Sequence, residues 1–222
     1  MIINSNFIKH NITKRLISAL VIVFCFSITI FIFKKIFYIL MLALGTLMIV
    51  EWNKMVKKSN FDMYLGYGVI IIAILSIIFS FIIDQSGKAI FTYFCTLWIT
   101  DSVAMAGGKF IGGPKLAPNI SPNKTFSGFI CGNSVAFIPV YILKTIPGNS
   151  IENISYWYLY LISVFIGTIA QISDLFVSHF KRKYSIKDTG SIIPGHGGVL
   201  DRFDSLIFSA PVLLTFILIY IV

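Results

Sequence analysis

Between Ser173 and Ser205, carboxylates and cations interleave in a chain that is otherwise poor in charge. Asp174, Asp188, Asp201 and Asp204 are four of only nine acidic residues, and Lys181, Arg182, Lys183, Lys187 and Arg202 stand among them. At helical spacing, Asp174, Ser178 and Lys181 share one face, with Arg182 beside them, and Asp201 and Asp204 share another. Carboxylates converging from two helices suit Mg²⁺, a hard ion that takes oxygen ligands and usually binds through one or two carboxylates plus substrate phosphates. The neighbouring Lys and Arg groups suit further phosphate oxygens. Pro194-Gly195-His196-Gly197-Gly198 is a turn where backbone N–H groups can approach an anion closely. The chemistry indicated is a metal–phosphate site. Singly, each residue has a plainer reading: the cations as topology determinants, Asp174 as a partner for Lys181, Gly-Gly as a mere turn, and His196 as a loop hydrogen-bonder.

A second stretch, Gly107 to Thr125, holds four glycines, three prolines and three lysines and is expected to be an irregular loop. Long irregular loops are seldom idle. Ser121, Lys124 and Thr125 offer donors to phosphate, and Asp101 precedes the loop as a fourth candidate carboxylate.

These two stretches must be positioned by what surrounds them, and that is apolar. The chain of 222 residues is 57% hydrophobic, with a mean hydropathy of +0.88. This composition belongs to a polytopic membrane protein. About seven spans are expected, at roughly 16–33, 36–53, 65–83, 89–106, 128–146, 156–177 and 205–222, each near the roughly 20 residues that cross a bilayer. The fold class is therefore all-α, a transmembrane helix bundle forming one integral membrane domain over 1–222, with no repeat or linker to divide it. Lys9, Lys14 and Arg15 precede an apolar run longer than a signal-peptide core and without a cleavage motif, so the first span is expected to be retained. With a cytoplasmic N-terminus, 14 of the 18 basic residues fall on the cytoplasmic side, leaving only Lys34, Lys35, Lys88 and Lys144 outside. Both polar stretches then lie on the cytoplasmic face. The basic excess reads as positive-inside loops and anionic lipid headgroups, not nucleic acid. Cys25, Cys95 and Cys131 sit in apolar runs without ligand spacing and are expected to be small buried residues.

The polar stretch closely resembles the phosphatidate cytidylyltransferase (CDP-diacylglycerol synthase) family. The residues that carry the likeness are Ser178, Lys181-Arg182, Lys187-Asp188, His196-Gly197-Gly198 and Asp201-Arg202-x-Asp204. The upstream loop resembles the family's second element through Lys115 to Pro118, Ser121-Pro122 and Lys124-Thr125, with Asp101 at its acidic position. The resemblance covers about residues 95–210. It implies transfer of a cytidylyl group from CTP to phosphatidate, giving CDP-diacylglycerol and pyrophosphate in phospholipid biosynthesis, at the cytoplasmic face of a bacterial-type inner membrane. It implies Mg²⁺ on Asp174, Asp201 and Asp204, leaving room for a second metal ion, and catalytic roles for these three with Lys181, Arg182 and His196. Substrate contacts fall to Asp101, Ser121, Lys124, Thr125, Ser178, Lys187, Asp188, Gly197, Gly198 and Arg202. CTP, phosphatidate and membrane lipids are the implied partners, and a homodimer is the implied assembly. Three positions depart from the family: Ser173 stands for a common Gly, and Val177 and Ser127 stand for common Glu residues. The two lost carboxylates predict a thinner metal shell.

Two other readings fit less well. A CDP-alcohol phosphatidyltransferase needs a Gly and an Ala near Asp201-Arg202 that are absent. A transporter predicts carboxylates near mid-membrane and paired broken helices.

Overall fold

Apolar segments of this length must satisfy their backbone groups internally when surrounded by lipid, and the helix does so. The computed structural model describes residues 20–56, 59–149, 151–192 and 197–220. His196, expected to have a catalytic role, lies outside the described residues with Pro194 and Gly195, as do Lys9, Lys14, Arg15, Lys57 and Lys58. The helices are α1 (Leu20–Phe31), then α2 (Lys34–Met55), α3 (Asn60–Ile83) and α4 (Lys88–Ile111). A small hairpin follows, β1 (Lys115–Ala117) and β2 (Ser121–Thr125), and then α5 (Phe126–Val135), α6 (Ile138–Thr145), α7 (Tyr156–Lys183), α8 (Leu200–Phe203) and α9 (Leu206–Tyr220). The class is all-α, as the composition indicated. Among the described residues, five segments are long and apolar enough to cross a membrane, counting α5 and α6 together, while α1 and α9 are shorter apolar helices.

Two expectations about these elements are corrected. The stretch expected as one helix over 128–146 breaks between Val135 and Ile138, where Pro139 opens α6. Proline has no N–H to donate, so it suits a helix start better than an interior. Conversely, Gly107 and Gly108 do not begin a loop. α4 runs through them to Ile111 and stops at Gly112, with φ 69°.

The reason α5 keeps glycines is visible in its packing against α4. α4 and α5 touch backbone to backbone: a Cβ on Gly128 would lie 2.4 Å from the Ala104 carbonyl oxygen, and one on Gly132 2.8 Å from that of Thr100. Gly128 and Gly132 form the small-xxx-small spacing that lets helices approach closely in lipid. α2 and α3 meet through a different device. The Trp52 indole donates to the Asp62 carbonyl oxygen at 3.0 Å, and it occupies the space that a side chain at Gly66 would fill.

The main core joins α1–α4, α7 and α9 around Phe37, Trp52, Phe81 and Phe94. Phe24, Leu42, Ile72, Phe79 and Phe165 point outward, giving an apolar exterior that suits lipid. Cys25 shares that exterior and Cys95 and Cys131 are half-buried, so the expectation of three buried thiols is corrected. An apolar run in a bundle this thin faces lipid as often as core.

At one end of the bundle, Lys34 Nζ donates to the Gln85 carbonyl oxygen at 2.6 Å, joining the α1–α2 and α3–α4 turns. The opposite end carries the hairpin, the C-terminal turns of α4 and α7, and α8.

Candidate active site

A cavity of about 660 Å³ opens among the ends of α4 and α7, the hairpin, the start of α5 and α8. Asp101, Asp174, Asp188, Asp201 and Asp204 line it, together with Lys109, Lys115, Lys124, Lys181 and Arg202. The two polar stretches therefore face one another across a single space.

The hairpin delivers Lys124. β1 and β2 pair antiparallel with Lys115 opposite Thr125 and Ala117 opposite Ser121. Thr125 Oγ1 caps α5 by accepting from Gly128 N at 3.1 Å. The Ser127 hydroxyl donates to the Gly112 carbonyl oxygen, so the Thr125 hydroxyl donates to Ser127 at 2.9 Å. Fixed in this way, Lys124 Nζ reaches Asp174 Oδ2 at 2.5 Å and the Gln171 carbonyl oxygen at 3.4 Å. Thus Asp174 pairs with Lys124, not with Lys181 as the plainer reading had it. Ser178 Oγ donates to the other oxygen of Asp174 at 3.2 Å, as the shared helix face predicts.

Lys181 instead pairs with Asp201, at 2.9 Å. Asp201 Oδ2 also accepts from Thr189 N at 2.8 Å, Thr189 Oγ1 at 3.1 Å and Gly198 N at 3.0 Å. Burial alone would raise the Asp201 carboxyl, but the Lys181 hydrogen bond and the Gly198 and Thr189 N–H groups outweigh it and hold it below its usual value. Asp204 goes the other way. Burial pushes it well up, and the neighbouring Asp174 and Asp101 carboxylates add to the effect.

Asp101, Asp174 and Asp204 thus form an acidic group of their own, close enough for their charges to act on one another. Mutually repelling carboxylates in a recess favour a bound cation, and their oxygens are the donors that Mg²⁺ takes. Among the described residues, no three His, Cys, Asp or Glu side chains are gathered closely enough to hold a metal unaided. Asp174 and Asp204 are the better-placed pair. Asp201 already carries four hydrogen bonds and would have to release Lys181 to join them.

Several predicted residues stand elsewhere. Arg182 is outside the cavity, with Nε donating to the Ile120 carbonyl oxygen at 3.2 Å and Nη1 to that of Ile186 at 3.3 Å, so it clasps the hairpin turn to the end of α7. Ser121 and Lys187 are not among the lining residues, and Gly197 and Gly198 lie behind Asp201. The departures at Val177 and Ser127 leave no gap in the cavity wall. Val177 is fully buried in the core, and Ser127 ties the hairpin to α4. Ser173 accepts from Phe208 N at 3.2 Å and donates to the Asp204 carbonyl oxygen, so it fixes the α8–α9 junction against α7.

Lys109 and Lys115, two of the three lysines of the second stretch, line the cavity, and so does Asn123, which was not singled out from the sequence. Asp62 was missed too: it accepts from Lys183 and, at 2.6 Å, from Tyr184 OH, anchoring the end of α7 to α3.

A second, mainly apolar recess of about 370 Å³ is lined by Ile22, Val23, Trp98 and Phe203 with Ser102. It shares Asp101, Met105 and Arg202 with the charged cavity.

The model of the "Cytidylyltransferase family" matches residues 75–220. The chain belongs to the cytidylyltransferase family. It is accordingly a nucleotidyltransferase, and the matched region contains every residue of the charged cavity. The chain is 47% identical to the phosphatidate cytidylyltransferase of Rickettsia typhi, over 92% of this chain and 91% of the relative. It is 46% identical to that of Rickettsia conorii, over 92% and 90%. It is also similar to the Bacillus subtilis phosphatidate cytidylyltransferase, at 45% identity over 59% of this chain and 48% of the relative.

Proposed function

We propose that this cytidylyltransferase moves the cytidylyl group of CTP onto the phosphate of phosphatidate, at the cytoplasmic face of a bacterial inner membrane. The observation that carries the reading is the junction at Asp101, Met105 and Arg202, where the charged cavity meets the apolar recess. A nucleoside triphosphate needs the first space, a diacyl lipid needs the second, and the bond to be made lies between them.

In the reaction a phosphate oxygen of phosphatidate attacks the α-phosphorus of CTP. The bond from that phosphorus to the bridging oxygen breaks, and pyrophosphate leaves with the electron pair. Because the lipid phosphate is itself the nucleophile, no side chain has to form a covalent intermediate. Both reactants are anionic, so positioning and charge neutralisation carry the catalysis. Lys124, Lys181 and Arg202 hold phosphate oxygens, with Lys109 and Lys115 at the mouth. Asp174 and Asp204, with Asp101 beside them, are the residues that would hold Mg²⁺, which supplies further neutralisation of the triphosphate when bound. Asp201 orients Lys181.

The test is to incubate the purified protein in detergent with CTP, Mg²⁺ and phosphatidate and to measure lipid-linked cytidylate. Product formation is expected; its absence, where a related enzyme turns over, sinks the reading. Filling the apolar recess should act on the lipid alone. Val23→Trp is expected to raise KM for phosphatidate about tenfold, in line with the loss of one good apolar contact, and to leave KM for CTP within about twofold. An equal rise in both constants would separate the recess from the lipid.

A further inference from the structure

Glu51 is an acidic residue near the end of α2, it is 1% exposed, and the reaction above gives it no role. Its carboxylate bridges Thr189 and the Val199–Leu200 backbone that leads into Asp201. Oε1 accepts from Val199 N at 2.9 Å, and Oε2 accepts from Leu200 N at 2.8 Å and Thr189 Oγ1 at 2.9 Å. Gly190 and Gly198 are packed against it so tightly that a Cβ would lie 2.6 Å and 2.4 Å from its oxygens. The Thr189 hydroxyl lies between two carboxylates, 2.9 Å from Glu51 and 3.1 Å from Asp201. Its single proton serves both.

A carboxylate taken out of water is costly unless its oxygens are satisfied, and here the satisfying donors all come from one segment. If Glu51 only tied α2 into the bundle, donors from a neighbouring helix would serve as well. Instead it grips Thr189 and the Val199–Leu200 backbone, immediately beside Asp201. We propose that Glu51 is a positioning residue, which through Thr189 and the start of α8 sets the place of Asp201 and hence of the Lys181 ammonium in the cavity. This rests on the reading of the cavity as the cytidylyl-transfer site. Misplacing a charge-stabilising group by about an ångström can cost about a hundredfold in rate, so the effect should appear in kcat.

Four variants and two measurements test it. Glu51→Gln keeps the size but puts an N–H₂ group against a backbone N–H; its kcat is expected to fall 10- to 100-fold, with KM for CTP within about threefold. Thr189→Val, which keeps shape and loses the hydroxyl, is expected to lower kcat about tenfold, and Thr189→Ser to recover most of that loss. The Glu51→Gln/Thr189→Val double variant should lose no more than the worse single one, as members of one unit do. The second measurement needs no substrate: amide hydrogen exchange in a peptide covering 187–203 should quicken at least tenfold in Glu51→Gln, while α4 and α5 peptides stay unchanged. Unchanged exchange overturns the proposal, whether or not the wild type turns over CTP. So do additive losses in the double variant, or a fall in rate that only follows the amount of folded protein. Should Glu51→Gln fail to fold, the contrast between Thr189→Val and Thr189→Ser decides. A wild type inactive on CTP and phosphatidate, with exchange quickened as expected, counts against the proposed reaction and not against the grip of Glu51 on the segment.

Discussion

Asp174→Asn should lower turnover at least about a thousandfold, a loss of about 4 kcal/mol of transition-state stabilisation, with the protein still folded. Among the described residues, Asp174 is the only carboxylate that meets the hairpin, its own helix and the acidic group at once. It pairs with Lys124 at 2.5 Å, accepts from Ser178 and lies within electrostatic reach of Asp204. An amide in its place keeps the volume and can keep the Ser178 bond. It removes the negative charge that holds Lys124 in place and that, with Asp204, favours a bound cation. Binding of CTP by Lys181 and Arg202 would survive, so the loss should appear in kcat more than in KM. Steady-state measurement of lipid-linked cytidylate checks this, and turnover within tenfold of wild type would remove Asp174 from the reacting centre. Lys183→Met is the useful comparison. It also breaks an ion pair, with Asp62, but one remote from the cavity whose lysine is half exposed. Asp62 keeps the Tyr184 hydroxyl, so turnover there should stay within about twofold.

How far the site could be read in advance follows from helix geometry. At about 100° per residue, Asp174, Ser178 and Lys181 fall within about 60° of one another; Asp174 and Lys181 line the cavity, and the buried Ser178 holds Asp174. Val177 lies about 60° to one side of Asp174 and Arg182 about 80° to the other. The first faces the core and the second the exterior. The family comparison gave both positions a role in the site, and the rotation of α7 assigns them elsewhere. A motif states which residues recur, while the direction of a side chain depends on what its helix packs against.

Glu51 and Asp62 were missed for another reason. Their partners lie 138 and 121 residues away in the chain, so no spacing rule reaches them. Yet the clue that exposed Asp174, a carboxylate at the end of an apolar run, applies equally to Glu51 in Ile49-Val50-Glu51-Trp52. In a chain with nine acidic residues, each one near lipid needs an explanation. The hairpin shows the converse. Its glycines, prolines and lysines marked a segment that binds something, but the pairing of Lys115 with Thr125 depends on Ser127 holding Gly112.

Asp201→Asn should cost about 100- to 1000-fold in kcat, and the reason lies in the two sides of one carboxylate. Oδ2 takes three donors from Thr189 and Gly198, and Oδ1 takes Lys181. An amide has one acceptor oxygen. Turned toward the segment, that oxygen leaves an N–H₂ group against the Lys181 ammonium; turned toward Lys181, it sets donor against donor at two backbone N–H groups. Either way one partner is stranded, which in a buried pair costs about 3–5 kcal/mol, and Lys181 loses its fixed position. The wild-type carboxyl is held below its usual value, so its folded pKa is the lower one. Its contribution to stability is then complete above the unfolded pKa of about 3.9 and is lost only as pH falls through the folded value. The deficit of Asp201→Asn should accordingly be constant from about pH 5 to pH 8, and thermal unfolding over the same range should show a constant drop in melting temperature. A deficit that vanishes toward pH 5 would mean that Asp201 is already protonated there, contrary to the four donors around it. Full turnover at every pH would detach both Asp201 and the Lys181 it orients from the reaction.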